Sequence, residues 1–199
     1  MPPSANVEHV GTVPTIFTPD ENRLHDSPWQ NESVSTQFVI DPADVASIEQ
    51  QLGRQPRGLL RVAWRCAGGQ PGVVVTSPRL PDGTPFPTTY YLTCPVAVAN
   101  VSTLESLGVM AEMTDRLGQD EHLAAQFRAA HEAYLADRRA LGAVPEIDQV
   151  SAGGMPTRVK CLHVLVAHAL AVGPGVNPLG DEAIELLKSH PFGECLEKR

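Results

Sequence analysis

Residues 59–92 read LLRVAWRCAGGQPGVVVTSPRLPDGTPFPTTYYL, and this stretch decides the fold. Aliphatic, β-branched and aromatic residues come in three short runs, a pattern typical of strands. The glycine- and proline-rich segments 68–72 and 81–87 lie between the runs and predict turns or loops. We therefore expect three strands, at Leu59–Cys66, Val73–Thr76 and Thr88–Leu92. Because the connections are short, antiparallel pairing is more favourable than a crossover.

Helices are predicted on both sides of these strands. Asp41 and Pro42 are typical of a helix start, and Gly53 is typical of a helix end. Four more helices are expected, at Pro95–Leu107, at Glu121–Leu141, from Pro156 or Thr157 to about Val172, and from Asp181 to near His190. Strands followed by helices indicate an α+β fold, a small, mainly antiparallel three-stranded sheet covered by several helices.

The first 38 residues differ in character from the rest. They are rich in proline, asparagine, serine and acidic residues and show no sustained periodicity. We expect residues 1–38 to form a disordered N-terminal tail, and residues 39–199 to form a single α+β domain.

Charge and hydropathy argue against two classes of partner. The net charge of −8 argues against a nucleic-acid-binding protein that depends on a basic surface. Arg54, Arg57, Arg61 and Arg65 lie close together in the sequence, and we interpret them as solvated side chains. No apolar run approaches the roughly 20 residues that a transmembrane helix needs, so we expect no membrane insertion.

The chain has four cysteines, Cys66, Cys94, Cys161 and Cys195. The first residues lack the basic and apolar regions of a secretory signal peptide. We therefore expect a cytoplasmic protein, in which cysteines are more often free, catalytic or metal-bound than paired in disulfides.

The densest group of reactive side chains is Cys161, His163 and His168, which follow the glycine pair in SAGGMPTRVKCLHVLVAH, residues 151–168. In a straight helix, Cys161 and His168 would lie about 10 Å apart, and His163 would point away from both. If the chain is still extended at Cys161, the side chains of Cys161 and His163 lie on one side and can chelate together. Each histidine has an alternative interpretation as a core residue with satisfied ring nitrogens.

Cys94 stands before Pro95 at a predicted helix start. Its sulfur would face free backbone N–H groups and the positive end of the helix dipole, which favours a thiolate. The alternative interpretation is a small buried apolar residue. We predict that Cys94 converges with Cys161 and His163, that Cys66 or His168 completes the set, and that the set binds zinc.

The glycine pair predicts a second kind of site. Gly153 and Gly154 precede the predicted helix, and Arg158 and Lys160 follow them closely. Backbone donors at a helix start and two cations suit a phosphate or carboxylate, so these four residues are candidates for binding a small anionic ligand. The alternative is a tight structural turn, because the spacing is not that of a Walker or dinucleotide motif.

Several strings together resemble domain-of-unknown-function family 501, in its actinobacterial branch, over about residues 41–190. They are Gln51-Leu-Gly-Arg54, Arg65-Cys66, Pro85-Phe-Pro-Thr88, Tyr91-Leu-Thr-Cys94-Pro95, Gly153-Gly-Met-Pro156 and Arg158-Val-Lys-Cys161-Leu-His163. The resemblance implies a cytoplasmic protein of unknown reaction, encoded near a septum-formation initiator, and hence a protein partner in cell division. It also implies that histidine replaces Cys94 in some relatives, an exchange that suits a metal ligand better than a nucleophile.

Two functions follow from these observations. The first is a metal-binding module that acts by binding or regulation. The second is a small enzyme, metal-assisted or thiol-dependent, that acts on a small anionic substrate. The sequence favours the first, because no acid–base pair with convincing spacing is present.

Overall fold

In the computed structural model, which describes residues 40–190 and 194–195, the predicted strands form one antiparallel sheet in the order β1-β2-β3. The strands are β1 Leu59–Arg65, β2 Pro71–Thr76 and β3 Tyr90–Leu92. The register pairs Val62 with Val74 and Val74 with Tyr91, so β2 is the central strand. All six residues of β2 are buried, as a strand covered on both faces requires.

Six helices surround the sheet in the described residues, which confirms the predicted α+β class. They are α1 Pro42–Leu52, α2 Pro95–Ser106, α3 Val109–Leu117, α4 Glu121–Leu141, α5 Leu162–Val172 and α6 Pro178–Leu187, with a single 3₁₀ turn at Pro145–Ile147. None of the described helices is both long and apolar enough to span a membrane. The tail predicted for residues 1–38 lies outside the described residues.

Local capping explains why the helix starts of α1 and α4 could be predicted. The Asp41 carboxylate accepts the Ala43 N–H at 2.8 Å, and Gly53 closes α1 in the left-handed conformation with φ +66°. The Asp120 carboxylate accepts the N–H groups of His122 and Leu123 at the start of α4. Each of these signals lies within a few residues of the element that it limits.

Two helix predictions were wrong in detail, and one helix was missed. α5 begins at Leu162 rather than at Pro156 or Thr157, because residues 153–160 close a turn in which the Lys160 N–H donates to the Gly153 carbonyl at 2.7 Å. α6 begins at Pro178, three residues before Asp181, because the Asn177 side chain caps it. α3 was not predicted, since Gly108 at φ +85° turns the chain between two helices and does not end the helical region.

The core lies between one face of the sheet and α5. Val73, Val75, Tyr90 and Leu92 point to this face and pack with the buried side chains of α5. α5 also contacts α2 and α6, so it runs through the centre of the helical layer. The side chain of Val74, one position away from Val73, must point to the opposite face of the sheet.

Candidate metal site

The candidate site is built around the first turn of α5. Cys161 is the N-cap residue and is extended, with φ −157° and ψ 111°, and its side chain makes no capping hydrogen bond. The carboxylate of Glu105, in the last turn of α2, accepts the Leu162 N–H at 2.7 Å instead. A side chain 57 residues away thus caps α5 and fixes the end of α2 against it.

His163 lies beside that carboxylate and faces acceptors with both ring nitrogens. Its Nδ1 is 3.1 Å from Glu105 Oε1, and its Nε2 is 3.2 Å from the Val98 carbonyl and 3.3 Å from Ser102 Oγ. The hydrogen bond with Cys161 and the charge of Glu105 outweigh partial burial and raise the pKa of His163 to about 9. Without a metal ion, the imidazole is therefore positively charged at neutral pH.

Cys161 completes a convergent set with these two side chains. Its Sγ lies 3.9 Å from His163 Nδ1. One ligand atom from each of Glu105, Cys161 and His163 lies within 4.8 Å of the other two, and no other such group occurs in the described residues. All three residues are partly buried, so the set is shielded but accessible. The sequence analysis expected Cys161 and His163 to chelate together only if the chain is extended at Cys161, and the structure has this conformation.

The structure places Cys94 elsewhere. It is the buried N-cap residue of α2, eleven residues before Glu105, which corresponds to roughly 16 Å along a helix. Burial and the neighbouring Cys94 and Cys66 thiols raise the pKa of Cys195 to about 11. Cys94 and Cys66 therefore belong to a separate group of thiols with Cys195.

His168 is a core residue in the structure. Its ring stacks on Tyr90 at 5.5 Å and meets the edge of Tyr134 at 5.1 Å. Asn177 Nδ2 lies 3.2 Å from its Nδ1 and acts as the donor, because Asn177 Oδ1 already accepts the Gly180 N–H. Complete burial lowers the pKa of His168 to about 4, so the ring is neutral.

Backbone conformation and close packing explain why residues 153 and 154 are both glycine. Gly153 and Gly154 adopt φ of +72° and +93°, and a Cβ on Gly154 would lie 2.7 Å from the Arg158 carbonyl oxygen. The side chains of Arg158 and Lys160 are exposed. Glu105 occupies the position at the start of α5 that an external anion would need. The role of these four residues in binding an anion stays a prediction.

Glu105 is the member of the site that sequence reasoning missed. A signal for it exists, since a carboxylate in the last turn of a helix opposes the helix dipole and needs another partner. That signal does not say which helix start supplies the partner.

A family model described as "Protein of unknown function (DUF501)" matches residues 62–185, which include Glu105, Cys161 and His163. No curated protein and no solved structure matches the chain.

Proposed function

The chain belongs to the DUF501 family, whose description states no activity, and from the site itself we propose that the protein binds a zinc-type metal ion through Glu105, Cys161 and His163. The observation that carries the proposal is the convergence of one oxygen, one sulfur and one nitrogen within 4.8 Å of one another. Thiolate, imidazole and carboxylate are the ligands that zinc takes in proteins.

The separations of the ligand atoms support this proposal. Tetrahedral bonds of about 2.0–2.3 Å hold pairs of ligand atoms roughly 3.3–3.6 Å apart. The Nδ1–Oε1 distance of 3.1 Å and the Sγ–Nδ1 distance of 3.9 Å differ from these values by only a few tenths of an ångström, and the third pair of ligand atoms lies within 4.8 Å. The hydrogen bond from His163 Nε2 to the Val98 carbonyl orients the ring, as outer partners of metal-ligating histidines do.

Three protein ligands leave a fourth position open, which allows a role in binding or regulation and also, as an alternative, metal-assisted hydrolysis of a small anionic substrate. An ion there would join the end of α2 to the start of α5 and would offer its open position to water or to a side chain of a partner protein. A partner in cell division and a cytoplasmic location are predictions from the family resemblance, and they accompany this proposal without being needed for it.

The alternative function is a thiol-dependent enzyme in which Cys161 reacts. The positively charged His163 beside the thiol favours it. In catalytic triads, however, the acid contacts the imidazole nitrogen that does not face the nucleophile. Here Glu105 and Cys161 both lie near Nδ1, while Nε2 faces a backbone carbonyl. Groups that converge on one point suit an ion better than a proton relay.

Zinc titration by calorimetry, with a competing chelator, tests the proposal. We expect one equivalent of zinc to bind, and Cys161→Ser and His163→Gln to weaken binding at least tenfold. Cys66→Ser is the matched control, since it also removes a partly buried thiol, and it should retain the wild-type affinity. Loss of binding in Cys66→Ser but not in Cys161→Ser would contradict the assignment. Iodoacetamide labelling of Cys161 near pH 6.5 in a protein that binds no zinc would favour the enzyme instead.

A further inference from the structure

The second face of the sheet, opposite α5, carries a cavity. Tyr90 points toward α5, where it stacks on His168, so Tyr91 must point to the other face together with its register partner Val74. The cavity that opens there has a volume of about 320 Å³. Its apolar walls are formed by Leu52, Leu59, Val74, Leu80, Phe86 and Tyr91.

Two arginines, Arg54 and Arg57, line the same cavity. Arg57 forms an ion pair with Asp82 at 3.4 Å, although its side chain remains 63% exposed. Within the described part of the chain, the Arg54 guanidinium donates a hydrogen bond to the Gln55 carbonyl at 3.2 Å, and no carboxylate pairs with it. The cavity thus combines apolar walls with a cation whose charge is not neutralised by any carboxylate of residues 40–190.

The segment that carries both arginines is held in place. Gly58 adopts φ +64°, and a Cβ there would lie 2.8 Å from Leu80 Cδ2, so the chain passes closely over a wall residue of the cavity. The Ser77 N–H donates to the Gly58 carbonyl at 2.7 Å and ties the segment to the end of β2. On the far side, Asp82 is fixed by the Thr84 N–H at 3.0 Å. The backbone next to Arg57 is therefore fixed before any ligand arrives, which lowers the entropic cost of binding.

We propose that this cavity binds a small organic acid, with one carboxylate on Arg54 and Arg57 and a flat apolar body against Val74, Phe86 and Tyr91. A guanidinium fits a carboxylate through two parallel hydrogen bonds, and the aromatic and aliphatic walls fit a ring. The volume is at the low end for ligand pockets, which suits one or two fused rings. The site is independent of the metal site, because it lies on the opposite face of the sheet from α5.

Calorimetric titration of the full chain with 2-naphthoate tests this proposal, with 2-naphthamide and 2-naphthylmethylamine as neutral and cationic probes of the same shape. We expect 2-naphthoate to bind at least tenfold more tightly than either analogue. Arg54→Gln should weaken that binding at least tenfold. Arg57→Gln should have a smaller effect, because Asp82 already neutralises part of its charge. Arg128→Gln, which removes an exposed arginine on α4 that does not line the cavity, is the matched control and should change nothing.

The position of the bound probe is read from amide chemical shifts. We expect 2-naphthoate to shift the amides of Val74 and Tyr91 and to leave those of Leu162 and His163 unchanged. Equal affinity for all three probes, no measurable binding of 2-naphthoate, or an affinity unchanged in the Arg54→Gln/Arg57→Gln double variant would overturn the proposal. Because both arginine side chains are on the surface, these variants should melt like the wild-type protein, and each result can be compared directly.

Discussion

At the scale of single residues, His168 and His163 show how the environment shifts the pKa values of two histidines on one helix in opposite directions. His163, at the first turn of α5, meets a carboxylate, a thiol and a carbonyl, and the thiol and the carboxylate raise its pKa. His168 is enclosed by two tyrosine rings and one amide, and burial lowers its pKa to about 4. The sequence offered a site residue and a core residue as alternatives for each; the structure places His168 in the core and His163 beside Glu105 and Cys161.

The low pKa of His168 predicts a loss of stability in acid. The unfolded chain binds a proton at the ordinary histidine pKa of 6.5, whereas the folded protein resists protonation down to about pH 4. Stability should therefore fall as the pH decreases through this window, by about 2 kcal/mol between pH 7 and pH 5 from this residue alone. Urea denaturation at both pH values should show that the wild-type protein loses about this much more stability than His168→Gln. An identical pH dependence for the two proteins would show that His168 is not buried as described.

At the scale of elements, the contact between α5 and α6 depends on one glycine. A Cβ on Gly180, in α6, would lie 2.3 Å from the backbone carbonyl oxygen of Leu165 in α5. Alanine is favoured over glycine inside a helix by about 1 kcal/mol. Gly180→Ala should nevertheless destabilise the protein, by roughly 2 kcal/mol or more, since a backbone atom cannot move aside without displacing a helix.

Thermal or urea denaturation measures the effect of Gly180→Ala. Glu185→Ala is the control in the same helix, because Glu185 is exposed and its ion pair with Lys188 is on the surface. That control should lie within about 0.5 kcal/mol of the wild-type protein. A stabilised Gly180→Ala variant would mean that α5 and α6 do not approach each other this closely.

Elements whose signals are local were predictable from the sequence, and elements that depend on distant contacts were not. Asp41 and Gly53 delimit α1 by themselves, and the glycine-rich turn between β1 and β2 ensures antiparallel pairing. The start of α5 depends instead on a closed turn at residues 153–160 and on a cap supplied by Glu105. Neither feature is visible in the few residues around Leu162, and the start of α5 was therefore predicted too early.

At the scale of the whole molecule, the candidate site depends on the packing of α2 against α5. The proximity of Cys161 and His163 could be predicted from the sequence, because two residues of extended chain bring their side chains to one side. The proximity of either residue to Glu105 could not be predicted, because it spans more than 50 residues of the chain. The same packing fixes Cys94 at the far end of α2, next to Cys195 and Cys66, although the sequence predicted it at the site.

Absorption spectroscopy of the cobalt-loaded protein tests the central claim most directly. Cobalt(II) binds at zinc sites in place of zinc. A thiolate ligand to cobalt(II) gives a charge-transfer band in the near ultraviolet, whereas oxygen and nitrogen ligands do not. The account predicts this band in the wild-type protein, in Cys66→Ser and in Cys94→Ser, and its loss in Cys161→Ser. A band that persists in Cys161→Ser but disappears in Cys94→Ser, or the absence of any band in the wild-type protein, would contradict a metal site at Glu105, Cys161 and His163.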